Sequence, residues 1–334
     1  MSPDAEAEPT ARSSTPEPAA DVTGAPTTVV IPTHNRRHLL ERTLRSVLGQ
    51  EGVDLDVIVV DDGGTDDTCR ALTDRGLRNV RVIRHEHSRG VSAARNTGLT
   101  AARSPLIAFV DDDDLWAPRK IAAQVAALRS KPGTRWSCVG AVHVNADLTP
   151  ISYRPTPASG DVGADLSTRN AIPGGGSGVL LETELAREVG GFDESISILA
   201  DWDFYLRLSL RSPLAAVDEP LLGYYVHSDS MYHNPMGLLD ELLYMEKKHQ
   251  DLGDAGRLDL DHSLWYVRLA GMAHRLGDRR MTMTLLARGT RRRGLTPLVA
   301  AARAVIRRTG PRVDRSIAEV DQAALSWLDP YREP

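Results

Sequence analysis

Four consecutive carboxylates, Asp111-Asp112-Asp113-Asp114, follow directly on the apolar run Leu106-Ile107-Ala108-Phe109-Val110. An apolar run closed in this way reads as a buried strand that hands its next residues to a surface crevice. Two carboxylates ~4 Å apart repel by roughly 4 kcal/mol at an effective dielectric near 20. Several of them at one strand end are therefore costly unless a cation sits among them, and hard divalent ions prefer such oxygen ligands. On this segment alone, a solvated acidic loop is the competing reading. A second acidic pair, Asp61-Asp62, closes the run Val57-Ile58-Val59-Val60 and precedes Gly63-Gly64. Further along, Asp201 and Asp203 flank Trp202 where a helical pattern begins, a place where aspartate also serves simply as a cap.

These carboxylates need elements to carry them. Thr27 to Ile31 is a β-branched strand that Pro32 should end, and Arg36 to Gln50 places Leu40, Leu44, Val47 and Leu48 on one helical face. A strand over Leu55–Val60, a helix from Thr65 to about Arg75, a strand over Val80–Ile83 and a small-residue helix over Gly90–Ala102 follow. Strand and helix thus alternate four times, which predicts an α/β fold with a mostly parallel sheet covered on both faces. Ligands of such sheets bind beyond the carboxyl ends of the strands. The loops Pro32–Asn35, Asp61–Gly64 and Asp111–Asp114 are there. Beyond Pro118 we expect a helix over Ile121–Leu128, a strand over Trp136–Val144 and a mobile Pro/Ser/Gly-rich connection over Thr149–Gly163. The run Gly174–Gly178 opens a strand, Gly190–Asp193 is a turn, and Asp201–Arg211 is a helix.

At 334 residues the chain can form one large domain and a smaller one. Residues 1–26 lack large apolar side chains and read as a disordered tail. The main domain is expected over 27–232, and a mainly helical C-terminal region over 233–334. A net charge of -5 argues against a general nucleic-acid binder. Cys69 and Cys138 show neither metal spacing nor a disulfide framework, which fits a reducing cytoplasm. No apolar stretch approaches the ~20 residues of a membrane span. Arg291-Arg292-Arg293 with Arg303, Arg307 and Arg308 flank apolar residues. They are open between a basic element touching anionic lipid at the inner face of the membrane and a solvated helix face.

Taken together, these segments resemble the family 2 glycosyltransferases of the GT-A fold over about Thr28 to Val226. Val29-Val30-Ile31-Pro32-Thr33-His34-Asn35-Arg36 resembles the family's opening strand and nucleotide loop. Val59-Val60-Asp61-Asp62-Gly63-Gly64-Thr65 resembles its second, with Gly64 where serine is common. Arg89 to Gly98 is similar to the G-x-x-x-A-R-N-x-G segment, and Phe109 to Asp114 to the D-x-D element. Gly190-Gly191-Phe192-Asp193 with Asp201-Trp202-Asp203 resembles the acceptor-side segment, where Ala200 replaces a usual glutamate.

The resemblance implies roles. Pro32, Thr33 and Asn35 would line the nucleotide loop, with Pro32 a floor for the base and Asp62 an acceptor for the ring N–H of a uracil-like base. Arg95 would hold the nucleotide. Asp111 and Asp113, pointing the same way in an extended segment, would share duties on the ribose and on a divalent ion (Mn²⁺ or Mg²⁺), with Asp112 beside them. His227 would complete the metal shell or touch a phosphate; a plain surface histidine is the alternative. Asp201 would be the catalytic base, its role open to sharing with Asp203, and Trp202 either an acceptor platform or core. His85-Glu86-His87 reads as no metal site. The expected activity is inverting transfer of a sugar from a nucleoside diphosphate sugar, a UDP-sugar by this reading, to a saccharide, lipid-linked or small-molecule acceptor. The alternatives are a sugar-nucleotide pyrophosphorylase, whose glycine-rich basic loop Pro32-Thr33-His34-Asn35 does not supply, and an inactive nucleotide-sugar binder.

Overall fold

The computed structural model describes residues 26–227, 234–250, 258–293 and 315–332. The expected tail, apart from Pro26, and Arg303, Arg307 and Arg308 lie outside the described residues. Four parallel strands form one half of the sheet: β1 (Thr27–Thr33), β2 (Leu55–Asp61), β3 (Val80–Arg84) and β4 (Leu106–Phe109), in the order β3-β2-β1-β4. β8 (Val179–Glu182) joins β4 antiparallel, and β6 (Trp136–Val144) and β7 (Pro150–Arg154) continue the sheet. β9 (Leu214–Tyr225) runs parallel to β6 and also pairs with the two-residue β5 (Leu115–Trp116). β10 (Arg315–Ser316) closes the β7 edge. This is an α/β sheet flanked by helices, as the alternation predicts.

Period-two alternation sends Val29, Ile31, Val57 and Val59 to one face of the sheet and Val30, Ile58 and Val60 to the other. On the first face, α1 (Arg37–Leu48) packs Leu40, Leu44 and Val47. On the second, α3 (Val91–Ala101) comes so close that a Cβ on Gly98 would lie 2.2 Å from a Val30 methyl carbon. Only glycine fits that approach. α7 (Ala200–Ser209) and α8 (Pro235–Lys248) complete this second core with Phe204, Leu239, Leu242 and Met245. Helices α9 (His262–Arg275) and α10 (Arg279–Arg293) pack behind them. They follow the shorter α2 (Thr68–Asp74), α4 (Lys120–Ser130), α5 (Gly163–Thr168) and α6 (Thr183–Glu188) in the numbering. Near the C-terminus, Leu325 and Leu328 fill a third cluster with Leu115, Val142 and Val144.

Three expectations are corrected. β1 runs through Pro32 to Thr33. The carbonyls of Val30 and Thr33 accept from Val110 N and Asp62 N, so the alternation turns the Pro32 nitrogen toward the β4 side. The last β1–β4 partners are Val30 and Phe109, so no ladder bond is lost there. The supposed mobile connection contains β7, and β9 was not read at all. Finally, α2 starts at Thr68 rather than Thr65, because Asp66 receives Thr68 Oγ1 at 2.7 Å and Arg37 N at 2.9 Å and holds the preceding residues in a turn.

Candidate active site

A cleft of about 280 Å³ opens at the carboxyl ends of β1, β2 and β4. Pro32, Thr33, Asp62, Arg95, Asp111, Asp112, Asp113, Asp201 and His227 all line it, so nine of the ten site residues inferred from sequence come together. Asn35 does not line it. Its backbone is left-handed (φ 56°), and its Oδ1 instead accepts from Thr65 N at 2.6 Å, tying two loops together.

The aspartate run is a turn, closed by Asp114 N donating to Asp111 O at 3.2 Å, and not an extended segment. The four side chains therefore diverge. Asp111 Oδ1 pairs with Arg95 Nη2 at 2.5 Å. Asp112 Oδ2 accepts from Thr33 Oγ1 at 2.7 Å. Asp113 Oδ2 accepts from Arg36 Nη1 at 3.0 Å and lies 3.0 Å from His227 Nε2, whose ring stacks on Tyr225. Asp114 is not a solvated loop residue: it is buried and joins Ser177 Oγ to Tyr225 N. Burial and the neighbouring Asp113 push Asp112 up to about 7. Burial and Asp111 raise Asp113 as well, against the pull of Arg36 and His227.

Asp62 is the most heavily bonded of these carboxylates. It receives His85 Nδ1 at 2.6 Å, Ser88 Oγ at 2.7 Å, and Arg89 N and Gly90 N each at 2.9 Å. Burial alone would raise its pKa, but these bonds outweigh it and lower the pKa overall. A carboxylate offers about four lone-pair sites, so these donors fill it. Asp62 does not cap α2, and it organises the turn that launches α3. His85 spends its other nitrogen on Thr97 Oγ1 at 2.9 Å. Among the described residues no group of three or more His, Cys, Asp or Glu side chains is gathered closely enough to hold a metal ion.

Asp201, in the first turn of α7, lines the same cleft. Its Oδ2 accepts from Asn170 Nδ2 and its Oδ1 from Trp202 N, both at 2.8 Å. Burial raises its pKa, with Arg95 as the main opposing charge. Asp203 points the other way. It is fully buried among Arg207 Nη2 (2.6 Å), Lys248 Nζ (2.8 Å) and His249 Nε2 (2.8 Å), whose bonds outweigh its burial and hold its pKa down. Trp202 is core, 1% exposed with its Nε1 donating to Leu166 O, so the platform reading falls. Asp193 is tied to Lys248 and Tyr244, off the cleft.

Sequence reading missed Arg36, His34, Tyr224, Tyr225, Ser197, Ile198 and the Gly175-Gly176 floor of the cleft. The glycine run was a usable signal. A Cβ on Gly176 would lie 2.6 Å from Arg95 Nη2, so a side chain there would require the buried guanidinium to move. Tyr205 Oη holds this floor by donating to Gly175 O at 2.6 Å.

A curled sheet with helices on both faces and its cleft at the parallel strand ends defines a GT-A fold. The chain is similar to Staphylococcus aureus TarS 1-349 in complex with UDP-GlcNAc (TM-score 0.57, 17% identity, 92% of this chain and 89% of that one). It is also similar to the mannosyltransferase PcManGT from Pyrobaculum calidifontis in complex with GDP-Man and Mn²⁺ (TM-score 0.55, 17% identity, 92% and 82%). At that identity the likeness establishes the fold. Residues 28–170 match the model of Glycosyl transferase family 2. An uncharacterized protein, MT1568, of Mycobacterium tuberculosis is 33% identical over 213 residues, 58% of this chain and 65% of its own length. The pre-mycofactocin glycosyltransferase of the same species is 31% identical over 217 residues, 58% of this chain and 41% of its own. The match thus spans from about two fifths to just under two thirds of these relatives' lengths.

Proposed function

We propose that the protein is an inverting glycosyltransferase that moves a sugar from a nucleoside diphosphate sugar to an acceptor hydroxyl. The observation that carries this is that one cleft is lined both by a crowded acidic turn at the end of β4 and by a buried carboxylate, Asp201, with a raised pKa. Arg95, buried and paired to Asp111, sits between them and is placed to orient the donor.

The donor set fits a divalent cation. Asp113 Oδ2 and His227 Nε2 lie 3.0 Å apart at the cleft, and Mg²⁺-type ions are commonly held by one or two protein carboxylates with substrate phosphates completing the shell. When bound, Mn²⁺ or Mg²⁺ would stabilise the leaving diphosphate. Arg36 now supplies the positive charge on Asp113. Thr33 fixes the Asp112 carboxylate beside them, and Pro32 offers the base an apolar floor. Asp62 acts on the nucleotide through the Arg89–Gly90 backbone it holds; taking a base N–H as well would require one of its four bonds to yield. Asp201 receives the proton of the acceptor hydroxyl as the new bond forms, a task that a raised pKa favours. Ala200 does not remove this group from the cleft, so an inactive binder is the weaker reading. The family match with named glycosyltransferases among its relatives supports the same class.

No helix among the described residues is long and apolar enough to cross a membrane. The experiment is a panel of UDP- and GDP-sugars with Mn²⁺ or Mg²⁺, read by release of free nucleoside diphosphate. Release from none of them, with or without candidate acceptors, overturns the reading.

A further inference from the structure

Helix α8 lies outside the segment that carries the family match, and it holds elements beside the cleft along one face. Glu241, Tyr244 and Lys248 are spaced by three and four residues, which stacks them on one side of a helix. Tyr244 Oη and Lys248 Nζ both bind Asp193 Oδ2, at 3.1 and 2.7 Å. Glu241 has a different target. Its carboxylate accepts from three successive backbone groups, Ser197 N at 2.9 Å, Ile198 N at 2.8 Å and Leu199 N at 2.8 Å. These donors lie just ahead of α7, at the end of a helix where backbone N–H groups lack intrahelical partners and negative charge is favoured. The N-cap Leu199 gives no side-chain cap, and residue 200 is an alanine. The carboxylate that holds this helix end therefore comes from another element. Two of the three residues it holds, Ser197 and Ile198, form a wall of the cleft, and Asp201 follows on the next turn.

We propose that Glu241 is a positioning residue for the acceptor side of the cleft. It fixes the backbone of Ser197, Ile198 and Leu199, and through that backbone the Asp201 carboxylate, without touching substrate. This rests on the transferase reading above. A carboxylate suits the task because two charged oxygens can meet three N–H groups at once. Glutamine offers one oxygen and turns an NH₂ toward the remaining donors. The catalytic unit on this inference includes α8.

The test uses the full chain and two variants. Glu241→Gln should speed amide hydrogen exchange at Ser197, Ile198 and Leu199 by about ten- to hundredfold, the worth of a charge-assisted bond. It should lower kcat/KM for the acceptor by about tenfold or more while leaving the dissociation constant for UDP or GDP within about twofold. Lys248→Met cuts the same helix face from Asp193 and Asp203 but reaches no cleft residue. It should lower the melting temperature and leave acceptor kinetics unchanged. Equal loss of acceptor turnover in both variants overturns the proposal, since α8 would then only dock. Unchanged exchange at Ser197 to Leu199 in Glu241→Gln overturns it as well. A wild-type protein that releases nucleoside diphosphate from no donor removes the transferase reading instead, and the exchange comparison still decides whether Glu241 holds this backbone.

Discussion

Asp201 and Asp203 stand two residues apart on one helix and meet opposite demands, so replacing each by asparagine separates turnover from stability. Asp201→Asn keeps the volume and an acceptor for Trp202 N or Asn170 Nδ2. Burial already disfavours its charge, so neutralising it should leave the melting temperature within a few degrees of wild type. Loss of a general base removes about 10²–10⁴ in kcat, ~2.7–5.4 kcal/mol on the barrier. Donor affinity should hold. Asp203→Asn leaves Arg207, Lys248 and His249 around a neutral amide. Breaking a buried pair from one side costs ~3–5 kcal/mol. The lower end applies here, because the Arg207 and Lys248 side chains are 15% and 26% exposed and can turn toward water. At roughly 2–4 °C per kcal/mol, the melting temperature should fall by about 6–12 °C, while kcat of the folded enzyme stays near wild type. The assay is nucleoside diphosphate release at saturating donor, beside thermal melts. If Asp203→Asn is dead at an unchanged melting temperature and Asp201→Asn turns over normally, the assignment is reversed and the geometric reasoning fails.

Other consequences can be checked with the same preparations. The folded-state pKa of Asp203 is depressed, so its contribution is present above the unfolded value, near 4, and is lost as pH falls below it; the melting temperature of wild type should drop more steeply than that of Asp203→Asn between about pH 4 and 2, and parallel curves would contradict this. Asp113→Asn, or EDTA on the wild type, should abolish nucleotide release while the fold persists; full activity in EDTA removes the metal from the mechanism. Asp62→Asn should lower the melting temperature without any nucleotide present, because four internal bonds are disturbed; normal stability with weakened UDP binding would restore direct base reading by Asp62. Gly176→Ala should displace Arg95 and weaken donor binding by about tenfold or more, since the new methyl would sit 2.6 Å from a guanidinium already fixed by Asp111; unaltered donor affinity would show that this passage is looser than described.

The parallel half of the sheet was legible because β1, β2 and β4 each carry a run of consecutive apolar residues, and the carboxyl ends then located the cleft. β9 was not, because Asp218-Glu219-Pro220 interrupts it, and its register against β6 shifts at Val139–Ala141 to accommodate that. The two-residue β5 has no periodicity to read. Within the site, residue types were right where a strand end dictated direction and wrong where a single torsion did. Asn35 follows β1 closely, yet a left-handed φ turns it to the Thr65 loop. Arg36 closes the nucleotide-loop segment and starts a helix in sequence, but nothing local announces a bond to Asp113 across 77 positions. Asp201 and Asp203 look alike in sequence. Lys248 and His249, supplied from more than forty residues downstream, are what draw Asp203 into the core.

The strand next to the sheet's edge, β7, waits longest for its outer neighbour. β7 pairs with β6 almost as soon as it leaves the ribosome, but Arg315 and Ser316, which cover its other edge at Tyr153 and Ser152, arrive some 160 residues later. At typical elongation rates of 5–20 residues per second that interval is about 8–30 s. During it, a strand edge carrying the exposed Ile151 lies open beside Val142 and Val144, before Leu325 and Leu328 arrive to cover them. Unpaired edges of this kind template pairing with other chains. Slowing translation after β7, or trimming the last twenty residues, should therefore raise the yield of aggregate before it lowers the activity of whatever stays soluble.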